Sequence, residues 1–188
     1  MFVAENSSKN GTEELLWFAM SATFGRALKA QSLLESKGVD SFVPMRYEMK
    51  CDKRVGKVRK LVPAINNLIF VHTTKERIQA LKAAATYLQY HTNMVGGRRT
   101  PIVVPDEQMQ QFMAVCNTHN EALQFLAPEE VDLAEGTSVK IVGGAFDGVV
   151  GSFVKAERGG KSSVVVQVEG ITAVMIVEIS DGYIQVLE

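Results

Sequence analysis

Apolar and polar positions alternate along residues 15–120 in patterns that predict strands and helices in turn. The apolar run Leu15–Met20 predicts a buried strand. Ala27, Ala30 and Leu34 then recur at helical spacing, in a helix that ends near Gly38, where a left-handed cap belongs. The whole N-terminal part reads β-α-β-β-β-α-β-α, so we expect an α+β domain with helices packed on a mostly antiparallel sheet.

Two further helices have clear start signals. The second is predicted to open with a capping box, with Thr73 as the N-cap residue and Glu76 three residues later. The third starts at Pro105 and carries apolar residues at positions i, i+3, i+4 and i+7, namely Met109, Phe112, Met113 and Cys116. Such a stripe is typical of a protein core, and we expect it to be core rather than a cofactor pocket.

Beyond residue 134 the pattern changes to short apolar runs separated by glycine-rich turns. Five short strands in about 50 residues predict a small β-barrel. We therefore expect a domain over residues 14–119, a linker over 120–133, where apolar periodicity is lost and acids accumulate, and a barrel over 134–188. The predicted barrel strands are Val139–Val142, Val149–Ala156, Ser163–Val168, Ile171–Val177 and Ile184–Leu187.

The net charge of −1 hides a difference between the two parts. Residues 1–133 carry 16 Lys and Arg against 14 Asp and Glu, whereas residues 134–188 carry 4 against 7. Because phosphate backbones attract clustered cations, the C-terminal part is a poor candidate for nucleic-acid binding and suits a protein partner better.

Several classes of protein are not indicated. No apolar run approaches the length of about 20 residues that crosses a bilayer, and the N-terminus lacks the layout of a signal peptide, so we expect a cytoplasmic protein without membrane contact. Cys51 and Cys116 have no metal-site or disulfide spacing. His72, His91 and His119 are scattered, with no nucleophile beside a base, so we expect no enzyme, metal or cofactor.

The segment from residue 50 to residue 60 carries six cations and one acid. One interpretation is a solvated hairpin tip, since charge runs usually mark exposed loops. The other is a contact with nucleic-acid phosphates, which would carry little sequence information. The sequence alone leaves both open.

The glycine-rich stretch 136–151 predicts a β-hairpin, because strand-like residues flank the turn on both sides. A phosphate-binding loop would need a helix after it. The stretch resembles the KOW motif, which occurs in NusG-type transcription factors and in some ribosomal proteins. It has a glycine, a Val-Lys-Ile strand, a Gly-Gly-Ala-Phe-Asp-Gly turn and a final glycine at 151.

The N-terminal part resembles the N-terminal domain of NusG proteins, so the two resemblances together cover residues 15–188. The resemblance of the N-terminal part rests on four motifs: Trp17-Phe18, Gly25-Arg26, Pro63 with Leu68–Val71, and Val104–Asp106. Within the family, the lack of insertions and the run 61–67 are most similar to specialised antiterminators of capsular polysaccharide operons in Bacteroides-like bacteria. Many NusG proteins have Pro-Gly-Tyr where this chain has Asn66, Asn67 and Leu68, which also favours a specialised member.

The resemblance implies that an apolar cavity of the N-terminal domain contacts the clamp helices of the largest subunit of RNA polymerase. This contact would suppress pausing. The positions that match this cavity are Phe18, Ile65, Leu68 and Phe70. The tripeptide His72, Thr73 and Thr74 is similar to one that touches the opposite jaw of polymerase in one relative, although the capping box explains Thr73 without any function.

The resemblance also implies contacts with nucleic acid and with a second protein. Upstream DNA or the non-template strand would lie against Arg26, Lys29, Lys50, Lys53, Arg54, Lys57, Arg59 and Lys60. The barrel would bind ribosomal protein S10 or the terminator Rho through Phe146 and Asp147, and we expect a monomer. The alternative is a KOW-containing RNA-binding protein of the ribosome or its assembly, but such proteins are usually strongly basic and the isoelectric point here is near 6.3.

Overall fold

A computed structural model describes residues 14–127, 130, 136–155 and 162–187. It shows an α+β fold with an N-terminal part of sheets and three helices and a C-terminal β part. Residues 128–129 and 131–133 of the predicted linker lie outside the described residues, as do Ala156 of one predicted strand and Glu188.

The N-terminal part follows the predicted order and adds short strands to it. Its helices are α1 (Ala27–Ser36), α2 (Lys75–Ala84) and α3 (Asp106–Cys116). Its strands are β1 (Leu16–Ala22), β2 (Asp40–Phe42), β3 (Met45–Asp52), β4 (Gly56–Pro63), β5 (Leu68–Thr73), β6 (Leu88–Tyr90), β7 (Thr92–Val95), β8 (Arg98–Pro101) and β9 (Val103–Val104).

The main sheet has the order β2-β5-β1-β6, and β9 pairs with β1 beside β6; every pair is antiparallel. Strand β1 lies against β5 with Trp17 opposite His72 and Phe18 opposite Val71. Since neighbouring residues of a strand point to opposite faces, Trp17 and Phe18 lie on different sides of the sheet. This register decides which side chains can share a site.

Each face of the main sheet has its own core. Helices α1 and α2 cover the face that carries Phe18, and their residues Leu34 and Ile78 are fully buried there. Helix α3 covers the opposite face, where Phe112 packs edge-on against Phe42 and Phe70. The predicted helical stripes are thus confirmed as core.

The C-terminal part is a six-stranded antiparallel sheet in the order β10-β14-β13-β12-β11-β15. It contains the five predicted strands, with boundaries shifted by at most two residues, and one strand that was not predicted. Its strands are β10 (Leu123–Leu126), β11 (Thr137–Ile141), β12 (Val150–Lys155), β13 (Ser162–Val168), β14 (Thr172–Ile179) and β15 (Ile184–Val186).

Strand β10 corrects the prediction that residues 120–133 only link two domains. Leu123 and Phe125 lie opposite Ile176 and Val174 of β14, and the Thr172 hydroxyl donates to the Leu126 carbonyl at 2.7 Å. A strand of four residues has too few alternations for its period to be recognised in sequence. The segment that follows α3 is therefore part of the C-terminal sheet.

One local prediction changes at the start of α2. The N-cap is Thr74, whose hydroxyl accepts from the Arg77 N–H, while Thr73 ends strand β5 opposite Leu16. Elsewhere the chain between α1 and β4 is divided at Pro44 into β2 and β3. Residues 96–97 form the turn of a β7–β8 hairpin.

The two parts of the chain share one apolar core. The cluster around Phe112 continues from the main sheet through α3 into C-terminal residues such as Val164 and Ile176. Two hydrogen bonds from the C-terminal backbone also reach α3: Val150 N–H donates to Gln111 at 2.9 Å, and Glu169 N–H to Gln108 at 3.3 Å. Helix α3 is therefore the layer between the two sheets.

Replacing Tyr87 by phenylalanine is expected to stabilise the fold by about 1 kcal/mol. The Tyr87 hydroxyl is buried and has no hydrogen-bond partner in the part of the chain that the structure describes. A buried hydroxyl without a partner has lost its contacts with water and gained none. Urea denaturation of the two proteins measures the difference; a less stable variant would show that the hydroxyl does find a partner.

Candidate functional site

The four residues predicted to form an apolar cavity do not come together as a set. Ile65, Leu68 and Phe70 belong to the cluster on the α3 face of the main sheet. Phe18 belongs to the opposite cluster, under α1 and α2, with its ring 5.9 Å from Tyr90. The register of β1 against β5 places Phe18 on the opposite face from the other three residues, and Trp17 lies on the α3 face.

Only part of this apolar set can be reached from outside. Leu68 is 2% exposed and Phe70 is 0% exposed, because α3 lies over them. Ile65, in the turn before β5, is partly exposed and packs on the same cluster from its edge. The turn around Ile65 is therefore the accessible part of this apolar set, and Leu68 and Phe70 lie buried beneath it.

The tripeptide 72–74 has one accessible member. The His72 ring stacks on Trp17 with centroids 4.7 Å apart and an angle of 17° between planes. Thr73 and Thr74 are 2% and 7% exposed, and the Thr74 hydroxyl caps α2. The structure thus gives both threonines a role in the fold, and leaves the Trp17–His72 pair at the surface of the α3 face.

The cationic segment forms the β3–β4 hairpin, and all six predicted cations on it are exposed. Arg59 has local partners: its guanidinium binds Glu121 at 2.8 Å and lies over the Tyr47 ring at 3.9 Å. Lys50 lies 3.7 Å from Glu48, with both side chains about half exposed. An exposed ion pair contributes little stability, so these contacts leave the hairpin able to exchange partners.

One face of the hairpin meets the start of α1. Register places Arg46, Glu48 and Lys50 on the same side of β3. They line a groove of about 310 Å³ together with Asn66 and Gly25. The structure therefore brings Lys50, one of the six hairpin cations, next to the N-terminal end of α1, where Arg26 and Lys29 are both exposed.

Arg26 lies in an aromatic cluster that the sequence analysis did not predict. Its guanidinium carbon is 5.3 Å from the centroid of the Phe24 ring and 5.4 Å from that of Tyr87. Phe24 is 85% exposed and has a φ of +62°. That left-handed backbone costs a side chain such as phenylalanine about 1–2 kcal/mol.

The predicted partner loop of the C-terminal part makes contacts within itself and with the C-terminal core. Asp147 accepts from the Gly143 N–H at 2.6 Å, which closes the loop around the short 3-10 helix Gly144–Phe146. Phe146 is half-buried against the C-terminal core and lines a cavity of about 290 Å³ with Tyr183 and Ile179. Asp147 thus shapes the loop, and Phe146 presents one edge to a cavity.

Trp17 and Phe24 are the residues that sequence reasoning missed. The alternation of β1 separates Trp17 from Phe18, and that signal was available once the strand was predicted. The Phe24-Gly25 pair between a strand and a helix predicts a turn, but the exposure of the phenylalanine depends on how the turn packs.

Titratable groups of the described residues do not gather into a reactive centre. Burial raises the pKa of the Cys116 thiol well above its usual range, and burial lowers the pKa of His91. Within the described ranges no group of three or more His, Cys, Asp or Glu is placed to hold a metal ion. No helix among the same residues is long and apolar enough to cross a membrane.

Two comparisons with known proteins found a match to this chain. A family model described as "Transcription termination factor nusG" matches residues 15–113, which is more than half of the chain. The solved structure described as "Domain interaction in Thermotoga maritima NusG" is 16% identical, with a TM-score of 0.46, over 93% of this chain and 98% of that one. No curated protein matches the chain.

Proposed function

Because the chain belongs to the NusG family of transcription factors, we propose that it binds RNA polymerase, suppresses pausing and modulates termination, as a specialised antiterminator. The observation that carries the proposal is the match over residues 15–113, joined to a partly exposed Ile65 that packs on an apolar cluster in the same part of the chain. The resemblance to NusG proteins supplies the partner surface, the clamp helices of the largest polymerase subunit.

The polymerase contact that we propose is centred on Ile65 and bordered by the Trp17–His72 pair. Ile65 is partly exposed at the edge of the buried cluster that includes Leu68 and Phe70. Apolar side chains that meet the face of a helix are a known docking mode. Leu68 and Phe70 act here as the rigid floor of the contact, and Thr73 and Thr74 hold the strand end and helix start beside it.

Nucleic acid is the second partner that we propose, as upstream DNA or the non-template strand. The support is that Lys50 of the β3–β4 hairpin lines the same groove as Gly25 and Ala27, the neighbours of Arg26 in the chain. Exposed Lys and Arg side chains attract phosphates and release counterions on binding. Of the predicted set, Arg59 would first have to leave Glu121.

The C-terminal part would bind a second protein, ribosomal protein S10 or Rho, at the loop of Phe146 and Asp147. The excess of acids in residues 134–188 supports a protein over a nucleic acid there. The specialised role in capsular polysaccharide operons rests on the resemblance of residues 61–67 and on Asn66-Asn67-Leu68 in the place of Pro-Gly-Tyr.

The test of this function uses the full chain as bait for purified bacterial RNA polymerase, followed by run-off transcription across a terminator. We expect polymerase to be retained and read-through to rise. A chain that retains ribosomal RNA at moderate salt, and no polymerase, would favour the ribosomal alternative.

Replacing Ile65 by aspartate is expected to abolish retention of polymerase. The substitution places a charge in an apolar contact, and truncating a central anchor of this kind costs about 2 kcal/mol or more. The measurement is the pull-down, with thermal unfolding by circular dichroism to show that the fold is kept. Val95→Asp is the matched control, since Val95 is an exposed apolar residue on the β7–β8 hairpin. Equal retention by Ile65→Asp and the control would remove Ile65 from the contact.

A further inference from the structure

The two faces of the β3–β4 hairpin differ in chemistry. Residues directly opposite each other in an antiparallel pair lie on the same face. Tyr47 is paired with Leu61, and Met49 with Arg59, so these four side chains share one face. We call it the Tyr47 face. The opposite face carries Lys50 and lines the groove beside α1.

The apolar side chains of the Tyr47 face are exposed. Tyr47 is 43% exposed, Met49 61% and Leu61 40%. Among residues 45–51 and 57–63 this face has two cations, Lys57 and Arg59, and no acid. Neighbouring exposed apolar side chains often mark an interaction site, and cations beside them favour a partner that carries acids.

The chain itself already places a carboxylate on this face. Glu121, in the connection between α3 and β10, binds the Arg59 guanidinium at 2.8 Å. That guanidinium lies over the Tyr47 ring, 3.9 Å from its centroid, and the His119 ring approaches Tyr47 edge-on at 6.0 Å. The side chains of the ion pair are 50% and 76% exposed, so another carboxylate can replace Glu121 at little cost.

A cavity of about 370 Å³ lies between the hairpin and this connection. Glu48 also lines it, but its carboxylate has a partner in Lys50 at 3.7 Å. The space is open to side chains of a second polypeptide. The residues that the argument uses are Tyr47, Met49 and Arg59 on the hairpin side, and His119, Glu121 and Leu123 on the side of the connection.

The position of the connection does not depend on Glu121. The side-chain oxygen of Asn120 accepts from the Ala122 N–H at 2.9 Å, and the Ala122 carbonyl accepts from the Val177 N–H at 3.2 Å. These bonds hold the backbone on both sides of Glu121. The carboxylate can therefore leave Arg59 while the connection stays in place.

We propose that the Tyr47 face binds an acidic segment of a partner protein. A carboxylate of the segment would bind Arg59, and its apolar side chains would pack on Met49 and Leu61. In the free chain Glu121 occupies the position of that carboxylate. The pairing of an arginine with a carboxylate is strong and geometrically specific, which suits recognition of a peptide.

A nucleic acid fits this face less well than a protein does. The guanidinium of Arg59 covers one side of the Tyr47 ring, where a base would have to stack. Met49 and Leu61 offer no contact to a phosphate. The inference goes beyond the proposed function, and it moves Lys57 and Arg59 from the nucleic-acid set to a protein contact.

The test is a titration of the ¹⁵N-labelled full chain with the synthetic peptide Gly-Glu-Ala-Leu-Glu-Gly, which repeats the Glu-Ala-Leu order of residues 121–123. Chemical shifts of the backbone amides report both the affinity and the place of binding. A second peptide has glutamine in place of both glutamates, and a short DNA duplex is titrated in parallel.

The variants are Glu121→Gln, Arg59→Gln and the control Lys60→Gln. Lys60 is an exposed cation of the same strand as Arg59, and its pairing with Glu48 puts it on the other face of the hairpin. Lys60→Gln therefore makes the same change of charge as Arg59→Gln without altering the Tyr47 face. Thermal unfolding compares the stability of each variant with that of the original chain.

We expect the acidic peptide to shift the amides of the Tyr47 face. Glu121→Gln should bind it about two- to five-fold more tightly, because the variant lacks the competing exposed ion pair. Arg59→Gln should bind it about five-fold or more weakly, because a charge-assisted hydrogen bond is lost. Lys60→Gln should stay within about two-fold of the original chain, since salt screens exposed charges that do not touch the peptide.

Several results would overturn the proposal. They are the absence of shifts on the Tyr47 face with the acidic peptide, equal binding of the glutamine peptide, and equal binding by Arg59→Gln and Lys60→Gln. Shifts on this face with the duplex but not with the peptide would make it a nucleic-acid contact. Equal affinity of Glu121→Gln and the original chain would contradict the place given to Glu121. None of these readouts uses polymerase, so their failure would leave the proposed polymerase contact standing.

Discussion

Replacing Phe112 by alanine is expected to lower the free energy of unfolding by about 3–5 kcal/mol. Phe112 is 0% exposed and lies edge-on to Phe42 at 6.3 Å and to Phe70 at 5.8 Å. Removing the ring loses its burial and leaves a cavity whose walls belong to a sheet and a helix that move little. Phe112→Leu, which refills most of the space, should cost clearly less.

Urea denaturation measures this loss, followed both by circular dichroism and by the fluorescence of Trp17, the single tryptophan of the chain. Trp17 belongs to the cluster that surrounds Phe112, so its signal reports the main sheet. Both probes should shift together, because the cluster continues into the C-terminal sheet. A loss below about 1 kcal/mol would mean that α3 is not the packed layer between the two sheets.

Replacing Gly151 by alanine is expected to destabilise the chain by about 3 kcal/mol. A Cβ atom at Gly151 would stand 2.5 Å from the Val165 carbonyl oxygen and 2.8 Å from a Val164 methyl group. The first contact is with backbone, so it is relieved only if β12 and β13 move apart. The last residue of the KOW-like stretch is thus a glycine because the neighbouring strand β13 leaves no room for a side chain.

Gly182→Ala is the matched control for this prediction. Its Cβ would meet nothing within 4 Å, so its stability should stay within about 0.5 kcal/mol of the original. Thermal and urea unfolding of both variants decide the matter. If Gly151→Ala were as stable as Gly182→Ala, the close approach of β12 and β13 would be excluded.

The sequence predicted the elements that have long or regular patterns, because those patterns depend on residues close together in the chain. The stripe Met109–Cys116 and the cap at Gly38 follow from spacing and from backbone preference. Thr73 and Thr74 are both good caps, and only the end of strand β5 decides between them. Strand β10 has four residues and gains its place from pairing with β14, a contact distant in sequence.

The sequence predicted which residue types the candidate site contains, but predicted less well how those residues lie relative to one another. The cations of the β3–β4 hairpin are exposed as their sequence indicates, but the pairing of Arg59 with Glu121 joins residues distant in the chain. Phe18 and Phe70 are both apolar strand residues, and only the register of β1 against β5 shows that they face opposite sides. Sequence gave no comparable signal for the exposure of Phe24.

Strand β10 has a mechanical consequence for a factor with two partners. The chain leaves α3 and enters β14's ladder within seven residues, with Leu123 to Leu126 held in register. A protein bound at Phe146 would therefore be held at a fixed distance and angle from a protein bound at Ile65. The two partners could move relative to each other only if the edge strand β10 separated from β14.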